Sequence, residues 1–224
     1  VALETKHVAG LPGKSGDPSP VTAYGVYMGM KASAKVQFGS DSLAGKKVAV
    51  QGVGHVGEYL VEYLQKEGAE IYISDIHEET LNRVSKEYGA IVVGLDAIYD
   101  IDMDIYAPCA LGATVNDATL RRLKCSIIAG AANNQLANES VHGKKVIEMG
   151  MIYAPDYLIN AGGVMNCAGE VYNIDNDRVM SMAENIYNTT LAIIKKSRAE
   201  GIPSYLAANR MAEERIASLK KDKK

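Results

Sequence analysis

Three glycines, Gly52, Gly54 and Gly57, followed by an acidic residue at Asp75, carry the plainest chemistry in the chain. Each glycine has a separate task in a G-x-G-x-x-G turn. Gly52 permits the sharp bend, Gly54 lets backbone amides approach a pyrophosphate, and Gly57 lets the next helix pack close to the strand. Val53, His55 and Val56 fill the turn, and the start of the helix behind them lends partial positive charge to a phosphate. Asp75 stands 23 positions after Gly52, near the spacing of about 20 at which a carboxylate meets the adenosine ribose hydroxyls. Neither Ile76 nor the following His77, Glu78 and Glu79 supplies a cation for a 2′-phosphate. The motif therefore predicts NAD rather than NADP.

Other chemistries find less support. His55 lies inside the turn, where it faces solvent or the phosphates rather than acting as a base. His7, His77 and His142 have no partner at triad or metal spacing. The three cysteines, Cys109, Cys125 and Cys167, form no C-x-x-C pair, so no metal framework is expected and the odd count suits a reducing compartment. Gly13-Lys14-Ser15 looks like the end of a P-loop, but position 8 is Val8 and no strand precedes it. A net charge of −3 argues against nucleic acid as a partner. The basic run from Lys220 to Lys224 is expected to be a solvated tail. No apolar run approaches the ~20 residues of a membrane span. Glu4, Lys6 and His7 interrupt anything like a signal peptide, so a cytoplasmic protein is expected.

The elements that must position the glycine turn can be read from periodicity and breakers. Ser19-Pro20 reads as the start of a helix reaching about Phe38. Strands are expected at Lys47–Gln51, Glu70–Ser74, Ile91–Val93, Asp104–Ala107, Ser126–Ala129 and Met151–Tyr153. Helices are expected at Val56–Lys66, Glu78–Tyr88 and Asp117–Leu123, with a further one closing over Val146–Met149. Six strands alternating with helices predict an α/β fold, a Rossmann-type doubly wound parallel sheet. Beyond Gly162-Gly163 the pattern turns wholly helical, with candidates at Val164–Tyr172, Arg178–Ala199 and Tyr205–Leu219. The expected division is residues 1–160 for the sheet domain with its leading helix and residues 161–224 for the C-terminal helices.

Ligands of such sheets bind outside the carboxyl ends of the strands. The loops there are rich in small and amide residues: Pro108-Cys109-Ala110-Leu111-Gly112-Ala113, Gly130-Ala131-Ala132-Asn133-Asn134-Gln135, and Pro155-Asp156-Tyr157 through Asn160-Ala161-Gly162-Gly163. The chain resembles the glutamate/leucine/phenylalanine/valine dehydrogenases over nearly its whole length, in Gly16-Asp17-Pro18-Ser19-Pro20-Val21-Thr22-Ala23-Tyr24-Gly25, Tyr106-Ala107-Pro108-Cys109-Ala110-Leu111-Gly112-Ala113, Ala132-Asn133-Asn134-Gln135-Leu136, Tyr153-Ala154-Pro155-Asp156-Tyr157, Asn160-Ala161-Gly162-Gly163-Val164 and Met211-Ala212-Glu213-Glu214-Arg215-Ile216. The likeness is greatest to the leucine branch, then to the phenylalanine branch.

That resemblance implies reversible oxidative deamination of leucine or another branched-chain L-amino acid, with NAD accepting the hydride. It implies that Thr22 and Asn160 hold the nicotinamide carboxamide, that Asn133 lies near the nicotinamide ribose and the substrate carboxylate, and that Cys109 and Ala110 line the cofactor cleft. It places Val164 and Cys167 on the substrate side-chain pocket. Spacing of i, i+3 sets both on one helix face, which fits a pocket lining, with simple core packing as the lesser alternative. Gly169 stands where a larger, usually acidic residue is the rule. The family's catalytic lysines and aspartate belong to an N-terminal substrate domain whose Gly-rich lysine segment has no counterpart here, so no catalytic residue is expected in this chain and the chain alone is expected to be inactive. The full enzyme is expected to be a homo-oligomer. Phenylalanine or valine as substrate, or a non-catalytic NAD-binding module, are the alternatives.

Overall fold

Residues 3–5, 8–11 and 14–221 are described by a computed structural model of the chain. His7, Gly13 and the terminal Asp222-Lys223-Lys224 of the expectations above lie outside the described residues. Helix α1 spans Ser19–Phe38, and β1 (Lys47–Gln51), α2 (His55–Glu67), β2 (Glu70–Ser74), α3 (Glu78–Tyr88) and β3 (Ile91–Val92) follow. A 3-10 turn at Ala97–Asp100 leads into β4 (Ile105–Pro108), α4 (Asp117–Leu120), β5 (Ile127–Ile128), α5 (Glu139–Glu148) and β6 (Ile152–Tyr153). Five more helices close the chain: α6 (Asp156–Ile159), α7 (Gly162–Tyr172), α8 (Asn176–Glu184), α9 (Ile186–Glu200) and α10 (Ser204–Lys221).

All six strands pair in parallel, in the order β3-β2-β1-β4-β5-β6. The order reverses at β1, and the crevice of such a sheet opens at the carboxyl ends beside that reversal. Strand periodicity of two sorts the core into two layers. Val48, Val50, Ile73 and Ile105 meet α1, α2, α3 and α9 on one face. Ala49, Tyr106, Ile128 and Tyr153 meet the 3-10 turn, α4 and α5 on the other. The sheet is thus covered on both sides, as the sequence predicts. The C-terminal helices join the first layer: Ile186 and Ile194 of α9 are buried in the same cluster as α1 and the strands.

Two polar clasps tie α1 and its leader to this frame. Glu67, at the end of α2, accepts hydrogen bonds from the Tyr27 hydroxyl, from Lys31 Nζ at 2.7 Å and from the Leu43 amide at 2.9 Å. Burial works against its charge, but the bonds from Lys31 and Tyr27 outweigh that and hold its carboxyl below the usual range. Glu170 of α7 accepts from the Gly10 amide at 2.8 Å and from the Ser15 hydroxyl at 2.5 Å, which binds the leader to α7.

The differences from expectation have local causes. The helix expected over Arg178–Ala199 is interrupted at Asn185. Asn185 keeps right-handed angles, but its side-chain oxygen accepts from Asn188 Nδ2 and its carbonyl takes the Thr189 hydroxyl as well as the Thr189 amide. Side chains that compete for backbone partners loosen a helix in this way. Helix α4 ends at Leu120, three residues short of the expected limit, and β3, β5 and β6 are two-residue ladders. The 3-10 turn and α6 are too short to show a period in sequence.

Candidate functional site

The glycine turn is built as its residue types demand. Gly52 has φ +97°, and a Cβ there would stand 2.7 Å from the Ala110 side chain. A Cβ on Gly57 would stand 2.0 Å from the Gly52 carbonyl. Both positions are closed to any side chain. Gly54 differs: it has φ −68°, and a Cβ there would meet nothing within 4 Å. The turn is jammed on the protein side and open where a pyrophosphate would lie. Gly54 is the N-cap of α2, so the first amides of that helix, from His55 and Val56 onward, face the same space. The His55 side chain is 88% exposed, with Nδ1 3.8 Å from Asp17 Oδ2.

Asp75 follows β2 and reaches back over the turn. Its Oδ2 accepts the Val53 amide at 2.8 Å and its Oδ1 the His77 amide at 2.9 Å. Each carboxylate oxygen retains a lone pair for a ribose hydroxyl. A cleft of about 440 Å³ opens beside it, lined by Gly52, Asp75, Ile76, Cys109, Ala110 and residues that sequence reasoning missed, among them Leu95, Tyr99, Leu111 and Thr114. Leu111 belongs to the loop after β4 but carries no signal of its own. Leu95 precedes the short 3-10 turn and Tyr99 lies within it, and no period marks that turn. The exposed Leu95 and the half-buried Tyr99 give apolar walls that suit a purine. Beneath them the Tyr106 hydroxyl donates to Gln51 Oε1 at 2.6 Å, and Gln51 Nε2 donates to the Tyr99 oxygen at 2.8 Å. Ser74, also at this cleft, has a buried hydroxyl without a hydrogen-bond partner among the described residues. Cys109 accepts weakly from the Ala131 amide at 3.5 Å, and burial pushes its thiol up to about 12. It is therefore a small apolar liner.

The loops after β4, β5 and β6 are knitted together. The Ala113 amide donates to the Asn134 carbonyl at 2.7 Å and the Val115 amide to the Gln135 carbonyl at 3.0 Å. Asn133 and Asn160 come together: Asn160 Nδ2 donates to Asn133 Oδ1 at 2.7 Å and to the Ala131 carbonyl at 3.1 Å. Both amide hydrogens of Asn160 are engaged, so toward a ligand it offers only its oxygen, whereas Asn133 keeps both amide hydrogens free of the pair. The Thr22 hydroxyl donates to the Pro18 carbonyl at 2.9 Å. It lies against Gly163, where a Cβ would stand 2.8 Å from Thr22 Oγ1.

Helix α7 begins at that contact and carries Val164 and Cys167 one turn apart. Val164 is 73% exposed, so core packing does not account for it, while Cys167 is half-buried. Val171 and Tyr172 are exposed further along the helix. Gly169 leaves α7 unbroken, because Val179 of α8 sits where a side chain would be, 2.7 Å from a Cβ. Among the described residues no cluster of three metal-ligating side chains occurs, and no helix is long and apolar enough to cross a membrane.

This arrangement was compared with known proteins. The family described as Glutamate/Leucine/Phenylalanine/Valine dehydrogenase matches residues 13–78 and 73–223. The chain belongs to that family. Leucine dehydrogenase of Thermoactinomyces intermedius is 55% identical over 97% of this chain and 60% of its own length. Leucine dehydrogenase of Bacillus subtilis (strain 168) is 52% identical over 98% of this chain and 61% of its own. The crystal structure of L-tryptophan dehydrogenase from Nostoc punctiforme matches 91% of this chain and 61% of that one, with a TM-score of 0.89 at 42% identity. The hetero-hexameric glutamate dehydrogenase of Thermus thermophilus, at 18% identity and TM-score 0.69, shares the fold. This family member spans about 60% of the length of the curated relatives it matches. Its likeness to dehydrogenases of the leucine branch is the one its loop segments predict.

Proposed function

We propose that this chain is the NAD-binding part of an L-amino-acid dehydrogenase acting on leucine or a similar branched-chain amino acid. One observation carries the reading: Gly54 opens onto free space between two glycines that admit no side chain, with the Asp75 carboxylate beside it. That is the shape of a pyrophosphate cradle with a ribose acceptor. NAD, when bound, supplies the hydride acceptor for oxidation of the amino acid to a 2-oxo acid, with ammonia released.

The chain's own groups have separable tasks. The amides from Gly54 to Gly57 hold the diphosphate, while that of Val53 holds the Asp75 carboxylate. Asp75, without an adjacent Arg or Lys, accepts ribose hydroxyls and repels a 2′-phosphate, favouring NAD over NADP. Ile76, Ala110 and Cys109 line the adenosine cleft. Asn160 and Thr22 hold the carboxamide, Asn160 as an acceptor. Asn133 donates to the nicotinamide ribose or the substrate carboxylate. Val164 and Cys167 present an apolar surface to the substrate side chain, which offers nothing to a second carboxylate and disfavours glutamate. None of these groups is a base matched to deprotonating the substrate amine, a task that needs a side chain poised near the working pH. The chain alone is proposed to be inactive, its whole protein to be oligomeric and cytoplasmic, and its division to fall near residue 160.

Calorimetric titration with NAD and NADP tests the cofactor reading, and equal affinities would overturn it. Incubation of the chain with L-leucine and NAD at alkaline pH tests the division of labour. Sustained production of reduced cofactor, lost in Gly54→Val, would show that the catalytic groups are in this chain.

A further inference from the structure

Asp156 is a buried carboxylate, 5% exposed, with no ion-pair partner among the described residues. A charge in that position persists only where hydrogen bonds replace its water. Here two backbone amides do so. Oδ1 accepts the Tyr157 amide at 2.6 Å, within its own loop, and Oδ2 accepts the Gln135 amide at 2.9 Å, from the loop after β5. The Asp156 amide in turn donates to the Tyr153 hydroxyl at 3.3 Å. Burial, reinforced by the Asp156 charge, pushes that phenol far up, so Tyr153 stays neutral beside it.

What these contacts join decides their use. Gln135 is fully buried and closes its own loop, with Nε2 donating to the Gly130 carbonyl at 2.7 Å and the Ala132 carbonyl at 3.0 Å. Asn133 lies inside the closed loop, next to Asn134, whose φ is +54°. On the other side, Asp156 heads the single turn of α6, and its carbonyl accepts the Asn160 amide at 2.9 Å. Asp156 therefore links the loop that carries Asn133 to the turn that carries Asn160. The two asparagines meet at 2.7 Å.

We propose that Asp156 is a positioning residue, whose carboxylate bridges the β5 and β6 loops and so holds the Asn133–Asn160 pair in the register that binds the nicotinamide end of the cofactor. The inference rests on the NAD reading above. It touches only one end of the cofactor, because the glycine turn, Asp75 and the adenosine cleft belong to β1, β2 and β4 and share no hydrogen bond with Asp156.

The test compares NAD with ADP-ribose, which lacks the nicotinamide, by calorimetry on the whole chain and on Asp156→Asn and Asp156→Ala. Asparagine keeps one acceptor oxygen but turns an amide donor toward the other N–H; alanine removes both acceptors. The expected result is a graded loss of NAD affinity, about threefold for Asp156→Asn and roughly tenfold for Asp156→Ala, with ADP-ribose affinity within twofold throughout. Equal weakening of both ligands would reduce Asp156 to a general structural role and overturn the proposal, as would unchanged NAD affinity in both variants. If Asp156→Ala does not fold by circular dichroism, Asp156→Asn alone decides by the same criterion. Failure of the unaltered chain to bind ADP-ribose would instead overturn the NAD reading.

Discussion

The two ends of the crevice are built differently. At the β1–β2–β4 end the glycine turn and Asp75 border a cleft with Ile76 and Leu111 exposed at its mouth, and the hydrogen-bond chain from Tyr106 through Gln51 to Tyr99 supports its floor. At the β5–β6 end the Asn133–Asn160 pair is held equally firmly, but α7 beyond it turns Val164, Val171 and Tyr172 outward, each more than 60% exposed. One end is a concave cleft, and the other presents an apolar stretch of helix to solvent. The lesson is that the same edge of a parallel sheet builds a cleft where short loops converge and an open face where a helix departs.

That contrast can be broken most directly at Gly54. Gly54→Val should fold normally, since φ −68° and open space accommodate the side chain, yet NAD affinity should fall at least about 100-fold because the side chain occupies the pyrophosphate's place. Native-like circular dichroism with unchanged NAD affinity would dissolve the distinction between the two ends.

Asp75→Ala should cost NAD about tenfold in affinity, since it removes the ribose acceptor and leaves the Val53 amide unpaired. NADP, which gains nothing from Asp75, should change less, so the ratio of the two affinities should narrow. A parallel loss for both cofactors in calorimetry would contradict the assignment.

The frame under the glycine turn should show its own pH signature. Glu67→Gln should destabilise the chain by about 1–2 kcal/mol near neutral pH in urea melts. Because the folded carboxyl titrates below its usual 4.5, its contribution is present above that value and is lost as pH falls through the lower folded one. The gap between variant and unaltered chain should therefore close in acid, and a gap that widens there would show that Glu67 is not held in its charged form.

The smallest effect belongs to the exposed helix at the other end. Val164→Ser should shift stability by no more than about 0.5 kcal/mol and leave NAD affinity unchanged, as expected of an exposed position. A large fall in melting temperature would mean that Val164 is packed after all.

Much of this was legible from local pattern. α1, β1, β2 and α3 begin and end where Pro20, Gly39, Gly89 and the strand periodicity put them, because proline and glycine act through the backbone they occupy. The glycine turn and Asp75 were legible for the same reason: each residue type is demanded by its own φ, its own clearance or its own charge. The loop segments identified the family, and a family carries a fold. Tertiary structure decided what depends on neighbours distant in sequence. It placed Leu95 and Tyr99 at the adenosine cleft, brought Asn133 within 2.7 Å of Asn160 across 27 positions, and set the Asp156 carboxylate against the Gln135 amide. It also left Val164 in solvent, although an apolar residue at helical spacing could have been packed in a core. A sequence fixes which groups can be buried or paired, but the partner that buries or pairs each one is chosen by the folding of the whole chain.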